Sequence, residues 1–406
     1  LYGLVSTENR IDPARYGEFV NERARVSFYG DFLYPLAQAS TLEAFYEEAP
    51  EGERTPELQN CRKKIWEALS GFSLKLICLS PAEFIHFGTT GELLSLVTEQ
   101  IGGYEFLGWK KQVVSNAPED AAYAAHKAYV GRRAEIGPGA YLENSFILGE
   151  TAVGEGAVVS NLRLDGQRIR PHTVAHGLRL LDGRHVARIY GTHDNPKGTL
   201  EGNAFFLNTT LSRFLEQNGL SPADLWEDET AHTLWEAKLY PACGEMQEAL
   251  DFGEILYRMT EGTAKAEEIR RWKAAERLSL CGSFNCADGI YGGDWQCALQ
   301  NRILASKFTA SLEKGAYYRD ALKVFGTAGL TPAIREILEK DAEEADTPLQ
   351  VRIDYAISRW QKEHQLPYDR AESRCFGAIQ QAVYRRAISK ISGGKQRISR
   401  DEVIVV

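Results

Sequence analysis

"IGPGAYLENSFILGETAVGEGAVV", residues 136–159, brings an aliphatic side chain back at nearly even intervals. Ile136 and Leu142 stand six apart, and Ile147, Val153 and Val159 stand six apart again, with glycines and small residues filling the steps. A left-handed parallel β-helix needs that pattern, because each triangular coil turns three corners and stacks its aliphatics inward. The step from Leu142 to Ile147 is five, which reads as one slip of register. The hexads lie between about residues 130 and 175 and predict a short array of some two coils.

On either side the period changes. Residues 1–115 mix short apolar runs with helical patterns, as in an α/β region. Ser73 to Leu79 alternates and stops at Ser80-Pro81, which predicts a strand, and Phe84 to Phe87 predicts a second, shorter one. From Glu92 the apolar residues Leu93, Leu94, Val97 and Ile101 share one helical face, with Gly102-Gly103 as its stop. After residue 200 the chain reads as helical. Ser221-Pro222-Ala223-Asp224 and Thr331-Pro332 place caps with proline at the first helical position. Thr347 to Gln350 opens an amphipathic helix through Trp360, and another runs from Asp369 to Gly393-Gly394. The expected fold is an α/β remnant over 1–115, a short left-handed parallel β-helix over 116–200 and a mainly α-helical domain over 201–400.

The 406 residues exceed one ordinary core, and 47 Lys and Arg against 56 Asp and Glu leave a net charge of -9. That sign disfavours nucleic acid and anionic membrane surfaces. No apolar run approaches the length of a bilayer span and the N-terminus lacks the regions of a signal peptide, so the expected compartment is the cytoplasm. The seven scattered cysteines fit no disulfide framework or paired metal-ligand spacing and are expected to be buried free thiols. The opening on Leu1 and the strand-like close Glu402 to Val406 suggest a piece of something larger.

Three places could carry chemistry. His86 sits in the predicted strand before Gly88-Thr89-Thr90, and Thr89 to Glu92 has the form of a capping box. Backbone N–H groups at such a turn favour an anion, and His86 beside it could donate to a phosphate or a sugar hydroxyl. A strand-end histidine hydrogen-bonded to main chain is the plainer reading of the same residue. Asp31, within "YGDFLYPL" (29–36), could hold Mg²⁺ or a sugar hydroxyl, or could simply cap a helix. Between Asn161 and Lys197 lie seven Arg or Lys and the histidines His172, His176, His185 and His193 against three Asp, a local excess that could meet a phosphate or a partner. There is no P-loop, kinase glycine loop, G-x-S-x-G elbow or H-E-x-x-H.

"YGDFLYPL" (29–36), "FIHFGTTGELL" (84–94), "RIYGTHDNPK" (188–197), "TLWEAKLYPA" (233–242) and "RWKAAERLSL" (271–280) together resemble the bifunctional L-fucokinase/GDP-L-fucose pyrophosphorylases. The resemblance implies a sugar nucleotidyltransferase: fucose-1-phosphate guanylyltransferase, which joins GMP from GTP to L-fucose 1-phosphate and releases pyrophosphate, in a parent chain that also phosphorylates L-fucose with ATP. It implies Mg²⁺, for which these residues identify no ligands, and substrate contacts at His86, Gly88, Thr89, Thr90 and Asp31. His86 stands where related nucleotidyltransferases carry a metal-binding Asp, so a contact to sugar or phosphate suits it better. The family's N-terminal glycine-rich nucleotide loop has no counterpart before Tyr29, and residues 401–406 would begin a truncated kinase domain. By this reading the chain lacks an N-terminal nucleotidyltransferase segment and a C-terminal kinase domain and is inactive alone. The rival expectations are a non-catalytic β-helix and helical scaffold, and a hexapeptide-type acyltransferase with a histidine base. The coil edges also offer a surface for a homo-oligomer.

Overall fold

In the computed structural model, residues 2–8, 10–21, 23–75, 77–82, 84–85, 88–227, 231–288, 292–314, 316 and 318–344 are described. Contacts divide the chain into two units, Leu1–Ile85 and His86–Val406.

The second unit is built on a parallel β-solenoid. One face stacks Gln112–Ser115, Ala124–Val130, Tyr141–Glu143, Val158–Ser160 and Thr173–Arg179, all in parallel register. A second stacks the end of Ala124–Val130 on Phe146–Leu148 and Arg163–Asp165, and a third stacks Glu135–Ile136, Ala152–Val153 and Arg168–Ile169. Register partners Ala124, Tyr141, Val158 and Val174 are 17, 17 and 16 residues apart. The solenoid therefore makes about four turns where two were expected. The five-residue step is no slip: Val159 to Leu164 repeats it at the same corner, so the coil is two hexads and a pentad. The short side is closed by residues in the left-handed region, Lys127, Asn144 and Asn161 at φ of 48°, 45° and 56°.

Inward side chains form the stack that the hexads predicted. Ala125, Leu142, Val159 and Ala175 occupy one column, Ile147 and Leu164 another, all fully buried, with Val153 and Ile169 nearly so on the third face. Each larger aliphatic contributes roughly 1.5–3 kcal/mol by its burial.

The last coil pairs antiparallel with His185–Gly191, and the Met246–Glu261 helix packs on that strand. Trp272, fully buried in the Ala266–Ala274 helix, donates its indole N–H to Leu239 O at 3.0 Å. The two tryptophan-containing strings meet here as a short antiparallel pair, Tyr240–Pro241 with Arg277–Leu278, rather than as helices alone. Solenoid and helical residues from Ala125 to Leu280 share one apolar core. The Gly293–Glu313 helix packs on the second face through Leu299 and Ile303 against Tyr129 and Phe146. Thr331 caps the Pro332–Glu344 helix, accepting from Ile334 N. The helices expected at 347–360 and 369–393 lie outside the described residues.

The first unit is helical: Pro13–Phe19, Leu42–Glu47 and Pro56–Leu69, capped by Asp12, Thr41 and Thr55. Its described strands are Ser6–Thr7 and Arg10–Ile11, an antiparallel pair of two residues each. The expected α/β sheet is not found among the described residues. The described residues between Ser73 and Leu79 pair with no described strand; Ile77 and Leu79 are three-quarters exposed and Leu74 N donates to Leu36 O. Of the cysteines described, Cys61 and Cys243 are buried as expected, whereas Cys78, Cys286 and Cys297 are exposed. No described helix is long and apolar enough to cross a membrane.

Candidate functional site

The turn at Gly88 to Glu92 forms the predicted capping box. Thr89 Oγ1 accepts from Glu92 N at 3.1 Å, and Glu92 Oε2 accepts from Gly88 N and Thr89 N at 2.8 and 2.9 Å. These two N–H groups already hold a carboxylate, so the anion expected at the turn is here the chain's own Glu92. The helix Thr90–Ser95 continues past the expected stop through Leu96–Gln100 and Ile101–Leu107 to Gly108, which ends it at φ 74°. Its glycines at 102 and 103 are carried inside a tighter turn. His86 lies outside the described residues.

Gly91 lies against the loop that follows the last solenoid strand: a side chain there would stand 3.6 Å from Cε1 and Nδ1 of His193. Asp194 shapes that loop. Its Oδ2 accepts from Gly191 N at 2.6 Å and Leu207 N at 2.9 Å, and Asp194 N closes the turn on Gly191 O. Only glycine fits at 191, because a Cβ would lie 2.6 Å from Oδ1 of Asp194. Burial pushes the Asp194 carboxyl above its ordinary range, a rise that the two backbone N–H groups and the neighbouring His193 only partly offset. The result is a fixed turn that leaves His193 exposed.

His172 sits beside it, with ring centroids 6.1 Å apart and planes at 41°. The coil corner it occupies is left-handed: Gly139, Gly156 and His172 have φ of 66°, 59° and 52° in successive coils. Two coils meet that demand with glycine and the third with histidine, a conformation that costs a non-glycine residue roughly 1–2 kcal/mol. Gly156 makes room beneath it, since a Cβ there would come within 2.6 Å of His172 Nδ1. Thr192 fastens the corner, donating from both N and Oγ1 to His172 O at 2.9 and 3.2 Å.

The other described histidines are engaged. His126 uses Nε2 toward Lys110 O and Nδ1 toward the Tyr141 hydroxyl. His176 Nε2 meets the Asn161 amide at 3.1 Å, and burial, then the Arg188 charge, push its pKa down to about 4. His185 Nδ1 lies 3.3 Å from Gly244 O, and His232 pairs with Glu201. Neither imidazole of the 172/193 pair has a hydrogen-bond partner among the described residues.

Of the seven cations between Asn161 and Lys197, three are held in ion pairs. Arg170 pairs with Glu254 and Glu261, Arg179 with Asp288, and Arg184 with Asp182 and Glu276. Arg188, 7% exposed, donates to Ser283 Oγ and Leu280 O. Sequence counting singled out His172 and His193 only as part of that excess; their pairing depends on a last coil of 16 residues and a loop folded back onto it.

Asp31 belongs to the first unit and is 1% exposed there. Its Oδ1 accepts from Arg62 Nε at 2.7 Å and its Oδ2 from Ser27 N at 2.6 Å, while Arg62 Nη1 donates to Phe45 O and Glu48 O. The cap expected of Asp31 is made by Ser27, whose Oγ accepts from Gly30 N. A sugar hydroxyl or Mg²⁺ could reach this carboxylate only by displacing Arg62. Among the described residues no group of three or more His, Cys, Asp or Glu could hold a metal ion.

Comparison with known proteins agrees in one direction. A model of the fucose pyrophosphorylase domain matches residues 4–245. The fucose-1-phosphate guanylyltransferase of Homo sapiens is 24% identical over 244 residues, 55% of this chain and 40% of that protein, and its Mus musculus counterpart is 23% identical over 242 residues with the same coverage. The bifunctional fucokinase/GDP-fucose pyrophosphorylase of Arabidopsis thaliana is 25% identical over 225 residues, 50% of this chain and 20% of that protein. The chain thus spans at most 40% of the length of these curated relatives. No solved structure matches significantly. With the family model running from the first unit through the whole solenoid and the His193 loop, the chain belongs to the fucose pyrophosphorylase domain family.

Proposed function

We propose that this chain is part of a cytoplasmic fucose-1-phosphate guanylyltransferase, which transfers GMP from GTP to L-fucose 1-phosphate. The observation that carries the reading is the family match over residues 4–245, which includes the capped turn at 88–92 and the loop at 191–198. A phosphate oxygen of the sugar phosphate attacks the α-phosphorus of GTP in line, the bond to the bridging oxygen breaks, and pyrophosphate leaves. The reaction needs no covalent protein nucleophile, so the protein's task is to position two anions and neutralise charge. Mg²⁺ bound with GTP would supply charge neutralisation, and the described residues offer no cluster to hold it. Gly88, Thr89 and Thr90 would line the sugar side with their capped backbone, His86 next to them. The solenoid is left-handed in this reading, and a kinase using ATP stands in the same parent protein.

An acyltransferase is less well supported. The family match is to a pyrophosphorylase domain, and with His126 using both ring nitrogens and His176 meeting Asn161, His172 is the described coil histidine left to serve as a base. A scaffold role alone would leave the unpartnered histidine pair without use. The test is pyrophosphate release from GTP and L-fucose 1-phosphate by this chain and by forms extended at either end. We expect none from the chain alone and GDP-fucose once the N-terminal extension is present. Coenzyme A-dependent acetylation, or no guanylyl transfer by any extended form, would sink the reading.

A further inference from the structure

Of the six histidines the structure describes, four have a hydrogen-bond or ion-pair partner and two make neither, and those two lie together. We propose that His172 and His193 form a paired-imidazole site for the phosphate group of a phosphate monoester. For the identity of that monoester, L-fucose 1-phosphate, the proposal rests on the guanylyltransferase reading; the anion site itself does not.

Both rings are held in place by backbone rather than by their own hydrogen bonds. His172 occupies a left-handed corner that the two preceding coils give to Gly139 and Gly156, and its carbonyl is fixed by two bonds from Thr192. An exposed side chain kept at a position better suited to glycine points to a use outside the core. His193 projects from a turn locked by the half-buried Asp194. At 6.1 Å between centroids no hydrogen bond joins the rings, and the gap suits an anion that takes one N–H from each at about 2.8 Å. A metal is disfavoured because no third ligand stands by: Asp194 Oδ2 is occupied by two backbone N–H groups, and no described cluster reaches three donors.

The experiment is isothermal titration of the 406-residue chain with inorganic phosphate and, separately, L-fucose 1-phosphate, using wild type, His172→Gly, His193→Gln and the double variant. His172→Gly restores the residue that the corner prefers, and thermal melting confirms that each variant folds. Each single change should weaken both ligands at least tenfold and the double change should abolish binding, with ring resonances of the two histidines, not of His126 or His176, shifting on phosphate addition. Unchanged affinity in a folded double variant overturns the proposal, as does failure of wild type to bind either ligand, or loss of Zn²⁺ binding with phosphate untouched. If phosphate binding is lost as expected but no extended form makes GDP-fucose, the site stands and the guanylyltransferase reading falls. If GDP-fucose forms with an unchanged KM for L-fucose 1-phosphate in the double variant, the reading stands and the site falls.

Discussion

The first unit and the solenoid handle polar groups in opposite ways. In the first unit a charged pair is taken inside and satisfied there: the Asp31 and Arg62 side chains are 2% exposed, Nε of Arg62 bonds Asp31, and Nη1 bonds main-chain oxygens of the segment around Phe45. In the solenoid the stacked inward columns are aliphatic, and the fully buried Ser145 and Thr151 bond main chain near the coil corners. The difference teaches where a ligand site can be sought. A polar group that the fold consumes is structural however suggestive its sequence context, and one that the fold positions but leaves unpartnered is available.

The comparison breaks most readily at Arg62. Arg62→Ala leaves Asp31 buried without its counter-charge and should destabilise the first unit by about 3–5 kcal/mol. Limited proteolysis should then cut first within 13–69 while 124–191 stays protected. A loss below about 1 kcal/mol in urea unfolding would mean that Asp31 is hydrated, and would return it to the list of ligand candidates.

The solenoid should fail in a different manner. Leu142→Ala empties a fully buried position in the inward column and should cost about 3 kcal/mol, within the usual range of 2–5. Val158→Ala, on the outer column one rung on, should cost about 1 kcal/mol or less, because its side chain is only partly buried. Equal losses at the two sites, measured by chemical unfolding, would contradict the assignment of inward and outward columns.

Acid offers a third handle. His176 titrates at about 4 in the folded chain and near 6.5 when unfolded, so the unfolded state takes up its proton first as pH falls. Its contribution to stability is complete above the unfolded value and is lost progressively between pH 6.5 and 4, up to about 3 kcal/mol. His176→Gln should flatten that part of the curve of unfolding free energy against pH. An unchanged slope would show that His176 is open to protonation in the native coil.

What sequence alone made legible follows the same divide. Inward aliphatics must recur at every coil side, so Ile136, Leu142, Ile147, Val153 and Val159 announce a solenoid. The pentad looked like an error because its cause, a left-handed residue such as Asn144 or Asn161 shortening one side, is a backbone angle and leaves only a faint residue preference. Ser73 to Leu79 alternates like a strand, but alternation does not supply a partner. The basic stretch misled for a related reason: Glu254, Glu261 and Glu276, which pair with Arg170 and Arg184, lie some 80–90 residues downstream. With coils of 17 and then 16 in hand, aligning Gly139, Gly156 and His172 would have exposed the histidine as the exception.

That exception gives the smallest effect and the sharpest one. At the Asn144 corner the left-handed side chain is part of the fold: its amide donates to Asn161 and its oxygen accepts from Gln296 at 2.7 Å, so truncation there should destabilise. At the His172 corner the side chain makes no hydrogen bond to any described residue, and glycine relieves the strained φ while loosening the unfolded chain, two effects of similar size and opposite sign. His172→Gly should therefore leave stability unchanged or raise it by up to about 1 kcal/mol, read as a melting temperature equal to or a few degrees above wild type. A drop of more than about 1 kcal/mol would mean that the ring over Gly156 packs as part of the corner, and the contrast between a consumed and an available polar residue would no longer separate these two sides of the coil.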